Sequence, residues 1–194
     1  MAATKIKYIV IGGSAGSFRV ITRLLAQIPA DYPLPIILCL HRLKHIRSGF
    51  IEALELKSKM KIIEPTDKMH ISNGQIYLAP ANYHLTIELG NHFALSTHDN
   101  INHSRPAIDL TFDSAARIFR HKMVGILLSG ANKDGALGMR SVNMHGGVTV
   151  IQDPILCQAR TMPEAARKIT KIDHIFTVDQ ILNYILKLPT NEAS

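Results

Sequence analysis

The 194-residue sequence predicts an α/β fold: a doubly wound, mostly parallel sheet with helices on both faces and one antiparallel hairpin insertion. Three observations carry this. Short β-rich apolar runs alternate with segments of helical period, the rhythm of βαβ units. The strand runs, such as Ile36-Ile37-Leu38-Cys39-Leu40, are continuously apolar, as in a parallel sheet covered on both sides. Gly90-Asn91 separates two alternating segments, a tight-turn signal out of place in a purely parallel sheet. At 46% hydrophobic residues the chain builds a full core, and with no linker, repeat or low-complexity stretch it reads as one domain over residues 1–194.

The first strand runs from Ile6 to Ile11 and ends at Gly12-Gly13. A helix from about Ala15 to Ile28 follows, with Val20, Ile21, Leu24, Leu25 and Ile28 on one stripe, and Pro29 ends it. Strand Leu34 to Leu40, a loop, a helix around Gly49 to Lys59 and a short strand Lys61 to Glu64 come next. Ile76 to Ala79 is extended, and His84–Leu89 with His92–Ser96 form the hairpin. Pro106 sits where a first helical residue belongs, ahead of a helix carrying Ile108, Leu110, Phe112, Ala115, Ala116 and Phe119. The rhythm then resumes: strand Met123 to Leu128, helix Ala136 to Met144, strand Val148 to Ile151, a short helix from Pro163, a strand near Ile175 to Val178 and a last helix Asp179 to Leu188. Residues 190–194 are expected to fray.

Composition narrows the function classes. Cys39 and Cys157 lack C-x-x-C spacing, which argues against a zinc knuckle or a secreted disulfide framework and for a reducing cytoplasm. No apolar run is long enough for a signal-peptide core or a membrane span, so a soluble protein without membrane insertion is expected. The 22 Lys+Arg against 15 Asp+Glu give +7, which invites an acidic partner, a nucleic acid or a membrane surface without choosing among them. No nucleic-acid motif is present, and aromatic residues for base stacking are few at 6%.

Gly12-Gly13-Ser14-Ala15-Gly16 follows a strand, opens a helix and matches G-x-S-x-G, a turn that projects a serine hydroxyl from the sheet edge. The helix N-terminus behind it offers free N–H groups and a positive dipole end. Three roles fit this pattern: a serine nucleophile, a phosphate or dinucleotide cradle, and a structural turn. Dinucleotide binding is disfavoured, because G-x-G-x-x-G is missing and the second strand ends in Leu40-His41 rather than an acidic residue. The phosphate loop G-x-x-x-x-G-K-[ST] is absent as well. A serine hydroxyl needs a base, and His41, at the end of the neighbouring strand, shares its rim. Asp134, in the glycine-bearing loop after a later strand, can take the imidazole N–H and leave the other nitrogen as base. The order Ser14, His41, Asp134 differs from the Ser, Asp, His order of α/β-hydrolases.

Six motifs then stand in register: Ile11-Gly12-Gly13-Ser14-Ala15-Gly16, Leu40-His41, Tyr77-Leu78-Ala79-Pro80, His103-Ser104-Arg105-Pro106 with Asp109, Leu128-Ser129-Gly130-Ala131-Asn132-Lys133-Asp134-Gly135 and Met162-Pro163-Glu164-Ala165. In order and spacing they resemble the catalytic domain of the chemotaxis protein-glutamate methylesterases, the CheB family, over nearly the whole chain. The resemblance implies a Rossmann-like fold and a serine esterase that needs no cofactor. Ser14 would be the nucleophile, His41 the general base and acid, Asp134 the orienting carboxylate, and the backbone N–H groups of Ala15 and Ala131 the oxyanion donors. Methylated glutamates on the cytoplasmic helices of chemoreceptors would be hydrolysed to methanol and glutamate in signal adaptation, with glutamine deamidation at such positions as a related activity. Arg42 and Arg105 are the substrate-side candidates, each also readable as a solvated or satisfied cation. The family usually has Ser-Thr-Gly-Gly at Ser14-Ala15-Gly16-Ser17, Gln-His-Met at Leu40-His41-Arg42 and Gly-Met-Gly-Asn-Asp-Gly at Gly130–Gly135. These changes motivate an alternative, a catalytically weak CheB-like binding module in a signalling complex. Family members commonly carry an N-terminal phosphorylatable receiver domain. Five residues ahead of the first strand leave no room for one, so control by phosphorylation in cis is not expected.

Several residues invite simpler readings. His45, His84, His98 and His103 lack metal-ligand spacing, and no metal is expected. Asp109 and Asp113 lie one helical turn apart, where solvation or helix capping accounts for them. Met139 and Met144 read as core or cleft filler. Arg42, Lys44, His45 and Arg47 follow the candidate base, and such a cluster would rim the site and steer it toward an acidic surface.

Overall fold

The computed structural model describes residues 5–41 and 49–188. The basic cluster Arg42, Lys44, His45 and Arg47 and the tail 190–194 lie outside the described residues. Seven parallel strands form the main sheet, in the spatial order Ile62–Ile63, Ile76–Leu78, Ile36–Leu40, Tyr8–Gly13, Met123–Leu127, Val148–Gln152 and His174–Phe176. They are β1 (Tyr8–Gly13), β2 (Ile36–Leu40), β3 (Ile62–Ile63), β4 (Ile76–Leu78), β7 (Met123–Leu127), β8 (Val148–Gln152) and β9 (His174–Phe176). The expected hairpin is β5 (His84–Glu88) paired antiparallel with β6 (His92–Ser96), with Gly90 and Asn91 both at positive φ in its turn.

The helices divide between the faces. α1 (Ser17–Gln27), α2 (Phe50–Glu55) and α6 (Val178–Lys187) pack with alternate strand residues such as Ile9, Ile11, Ile36 and Leu38. On the other face α3 (Ile108–Phe119), α4 (Ala136–Met144), α5 (Thr161–Ile169) and the hairpin pack with Val10, Ile37 and Leu127. The alternation follows from the period-2 side-chain pattern of strands buried on both sides. β1 and β7 are neighbours, yet the chain leaves β1 for α1 on one face and β7 for α4 on the other. Connections that part in this way open a crevice at the strand C-termini, where doubly wound folds bind ligands. Among the described residues no helix is long and apolar enough to cross a membrane.

Element boundaries differ from expectation for identifiable reasons. α1 starts at Ser17 because Ala15-Gly16 make a turn, and it stops at Gln27 because Ile28, extended ahead of Pro29, cannot continue it. β9 stops at Phe176 because Thr177 caps α6 through a reciprocal box with Gln180. Pro106 is not the first residue of α3. It follows a cis Arg105–Pro106 bond, Ala107 is the extended N-cap residue, and the helix begins at Ile108. Non-local bonds set that start: Ala107 N–H donates to His84 Nδ1 (3.2 Å), and Ile108 N–H donates to Asp134 (2.8 Å).

Neither Ala107, the N-cap of α3, nor Gly135, the N-cap of α4, offers a capping side chain, and the two helices cap each other instead. Asp134, just before α4, accepts the N–H groups of Ile108 (2.8 Å) and Asp109 (3.0 Å) at the start of α3. Asp109 in turn accepts the N–H of Gly138 in α4 (2.8 Å). Each such cap contributes about 1 kcal/mol. The exchange requires the helices to touch at Gly138, where a Cβ would lie 2.5 Å from Phe112 Cβ and 3.2 Å from Asp109 Cα. Burial pushes the Asp109 carboxyl up to about 6; the Gly138 N–H opposes this and the nearby Asp134 charge reinforces it.

Gly138→Ala is therefore expected to force α3 and α4 apart and to lower unfolding stability by about 1–3 kcal/mol, read as a lower urea midpoint. Asp109 also carries a pH signature. Its folded pKa of about 6 lies above the unfolded value of 3.8, so the folded state holds a proton that the unfolded chain has released. Stability from this group falls as pH rises through that window. Relative to Asp109→Asn, the wild type is expected to lose stability from pH 4 to 6 and to hold level above it; a difference that stays constant across the window would refute the assignment.

Candidate active site

Ser14 follows the last residue of β1 and is half-buried in a turn built by its neighbours. Its N–H donates to Ser129 O (2.9 Å), which ties the turn to the loop after β7. Its carbonyl accepts the Ser17 N–H (3.0 Å) and the Ser17 hydroxyl (2.7 Å). Gly16 closes the turn at φ 83, and a Cβ there would lie 2.6 Å from Gln158 Cβ, so both conformation and space demand glycine. The buried Ser129 hydroxyl donates to Ala15 O (2.7 Å) and accepts the Ala159 N–H (2.9 Å), fixing the turn from below. Among the described residues, the N–H groups of Ala15 and Ala131 make no hydrogen bond and the Ser14 hydroxyl has no partner. A turn of this kind presents a hydroxyl beside unused backbone donors.

His41 lies on the same rim. β1 and β2 pair Gly13 with Leu40, and the His41 N–H donates to Gly13 O (3.1 Å), so Ser14 and His41 are the next residues along adjacent strands. The imidazole is 12% exposed, and its Nε2 lies 2.7 Å from Asp134 Oδ2. Asp134 is fully buried and takes five donors: His41 Nε2, the N–H groups of Ile108, Asp109 and Gly135, and Asn102 Nδ2. Burial alone would raise its pKa, but the His41 bond and the two α3 amides outweigh that and hold the carboxyl below the ordinary range. A charged Asp134 makes Nε2 the protonated nitrogen and leaves the lone pair on Nδ1. Chymotrypsin-type sites use the two nitrogens the other way round. Nδ1 meets a hydroxyl, that of Ser104 at 3.3 Å.

The structure thus brings Ser14, His41, Asp134, Ala15 and Ala131 to one rim, while Arg42 lies outside the described residues. Arg105 donates through one guanidinium nitrogen to Thr97 O (2.6 Å) and His98 O (2.9 Å), which pins the segment after β6. His84 is a satisfied core histidine, with Nε2–H donating to Asp99 O (3.0 Å) and Nδ1 accepting the Ala107 N–H. Among the described residues no His/Cys/Asp/Glu group is arranged to hold a metal. Asp109 is a buried cap, and Asp113 accepts from Arg117 (2.9 Å) and Ser141 (2.6 Å). Met139 is core, whereas Met144 stands 71% exposed at the end of α4 and fills no space. Four residues had no role in the sequence reading: Ser17, Asn102, Ser104 and Ser129. Three of them sit inside the quoted motifs or beside the Ser14 turn, which marks their place in the chain though not their partners. Asn102 was marked only by the turn-prone run Asp99-Asn100-Ile101-Asn102-His103-Ser104.

Comparison with known proteins agrees with this geometry. The CheB methylesterase family matches residues 9–185. A Leptospira interrogans relative is 34% identical over 183 residues, covering 94% of this chain and 95% of that protein. The Thermotoga maritima protein-glutamate methylesterase/protein-glutamine glutaminase is 30% identical over 189 residues, which cover 94% of this chain and 54% of that longer protein. The crystal structure of the Thermotoga maritima CheB methylesterase catalytic domain superposes with a TM-score of 0.88 at 29% identity, covering 95% of this chain and 100% of that one. A match that runs from β1 into α6 takes in every element that builds the Ser14 rim, and the chain belongs to the CheB methylesterase family.

Proposed function

We propose that this chain is a cytoplasmic serine esterase that hydrolyses glutamate methyl esters on chemoreceptor helices, releasing methanol, and that it deamidates glutamine at the same kind of site. The observation that carries the proposal is the 2.7 Å bond from His41 Nε2 to the buried Asp134, made beside a Ser14 turn with unused N–H groups. Ser14 Oγ attacks the ester carbonyl while His41 Nδ1 takes its proton. The tetrahedral oxyanion forms against the N–H groups of Ala15 and Ala131, donors worth roughly 3 kcal/mol each in comparable sites. The imidazolium, stabilised by Asp134, protonates the departing methoxide, and methanol leaves an acyl-Ser14 ester. Water then adds, its proton goes to His41, and collapse frees the glutamate and restores Ser14. With glutamine the leaving group is ammonia. Arg42 and Arg105 are the substrate-side cations in this proposal, Arg105 by holding the segment that leads into Ser104.

Methanol release from a methylated receptor fragment is the direct test. Wild-type protein should release it, and Ser14→Ala and His41→Ala should each lose activity by a factor on the order of 10⁴ or more. A wild type that releases none, or a Ser14→Ala variant that keeps its rate, would end the proposal. The receptor surface gains glutamates as esters are cleaved, so the +7 chain should meet it faster at low salt. kcat/KM is expected to fall as ionic strength rises, and neutralising Arg42, Lys44 and Arg47 together should flatten that dependence while kcat stays constant.

A further inference from the structure

We infer that Ser104 is a positioning residue for the His41 base, holding the Nδ1 lone pair until Ser14 takes it; this rests on the esterase reading above. Asp134 binds one nitrogen of the ring, at Nε2, and a single bond leaves the imidazole free to rock about that contact. The Ser104 hydroxyl, 3.3 Å from Nδ1, is the second contact that fixes the ring plane. Since Asp134 receives the Nε2 proton, Nδ1 can only accept, and the Ser104 hydroxyl, whose other acceptor in reach is Asn102 O at 3.5 Å, donates along the shorter contact.

Ser104 is itself rigidly placed. Ile101 and Ser104 exchange backbone bonds (Ile101 N–H to Ser104 O, 3.2 Å; Ser104 N–H to Ile101 O, 2.9 Å) across a two-residue turn. Asn102 and His103 in that turn both have positive φ, 50° and 63°. Asn102 Nδ2 reaches Asp109 Oδ2 (3.0 Å) and Asp134 Oδ1 (3.2 Å). This one segment therefore holds the carboxylate through Asn102 and the His41 ring through Ser104.

A hydroxyl on the lone pair of a base is also where a nucleophile sits, so the two serines must be told apart. Ser104 lacks what acyl transfer needs: Pro106, two residues on, has no N–H, and the first amides of α3 beyond it are spent on Asp134. Ser14 has, among the described residues, the unused N–H of Ala15 next to it and α1 behind it. The two hydroxyls share one lone pair in turn, Ser104 in the resting site and Ser14 when the ester carbonyl arrives.

The test reads the ring directly, in protein labelled with 15N-histidine at a pH where the His41 ring is neutral. Wild type should show a hydrogen-bonded, unprotonated Nδ1. Ser104→Ala should move that resonance to the unbonded position, Ser104→Thr should restore it, and Ser14→Ala should leave it in place. In methanol release, Ser104→Ala should lower kcat about threefold to tenfold at unchanged KM, with Ser104→Thr recovering the rate. An Nδ1 resonance indifferent to Ser104→Ala overturns the inference, as does an unchanged kcat in that variant. Loss of activity in Ser104→Ala as deep as in Ser14→Ala would make Ser104 a nucleophile and overturn it too. The spectrum needs no turnover, so an inactive wild type would defeat the esterase reading while the Nδ1 contact stood or fell by itself.

Discussion

The carboxylate of Asp134 on the N-terminus of α3 is the contact on which the rest of the site depends. An isolated charge so deeply buried would be prohibitively unfavourable, and it survives because its oxygens meet five donors. Those donors come from different places: two amides of the α3 first turn, the amide of Gly135, the turn at Asn102 and the ring at the end of β2. The group that orients His41 is thus also the group that decides where α3 begins and ties β2, α3 and the β7–α4 loop together. Asp109 completes the arrangement from the opposite direction, and Asn102 spans the two carboxyls. With two acids so close, only one stays charged cheaply. Asp134 has the stronger donors and keeps its charge, while Asp109 is pushed toward holding a proton.

This explains what was legible in the sequence. Strand and helix identities follow from short-range period, and the adjacency of β1 and β2 follows from the simplest βαβ connection. Ser14 and His41 therefore fall on one rim without any knowledge of side-chain packing. The hairpin was legible because Gly90-Asn91 is a local turn signal. The start of α3 was not, because Pro106 suits a first helical position by local rules, while the actual start is set by His84 and by Asp134, 26 residues beyond Ile108. Ser104 and Asn102 escaped for the same reason: their partners His41, Asp109 and Asp134 come together only in the folded chain. Ser129 was read as part of a strand-end motif, and nothing local reveals that its hydroxyl props the Ser14 turn.

The departures from the usual family pattern fall into place on the same physical ground. At Ala15 and Ala131 the group of interest to the proposed chemistry is the backbone N–H, a donor that replacing threonine or methionine by alanine leaves in position. At Ser17, where the family usually has glycine, the added hydroxyl donates to Ser14 O at 2.7 Å and reinforces the turn. At Asn132 the side chain accepts the Asp134 N–H (3.1 Å), so this residue closes the loop that presents the carboxylate. The changes at Ser14–Ser17 and Gly130–Gly135 therefore alter how the rim is propped and leave the His41–Asp134 bond in place. The charge of Asp134 serves the fold and the ring together, because the same oxygens accept the first amides of α3 and His41 Nε2, and removing one partner of such a buried group leaves the others uncompensated. Keeping that charge against α3 is what places the ring proton on Nε2 and leaves the lone pair of His41 on Nδ1, facing the Ser104 hydroxyl.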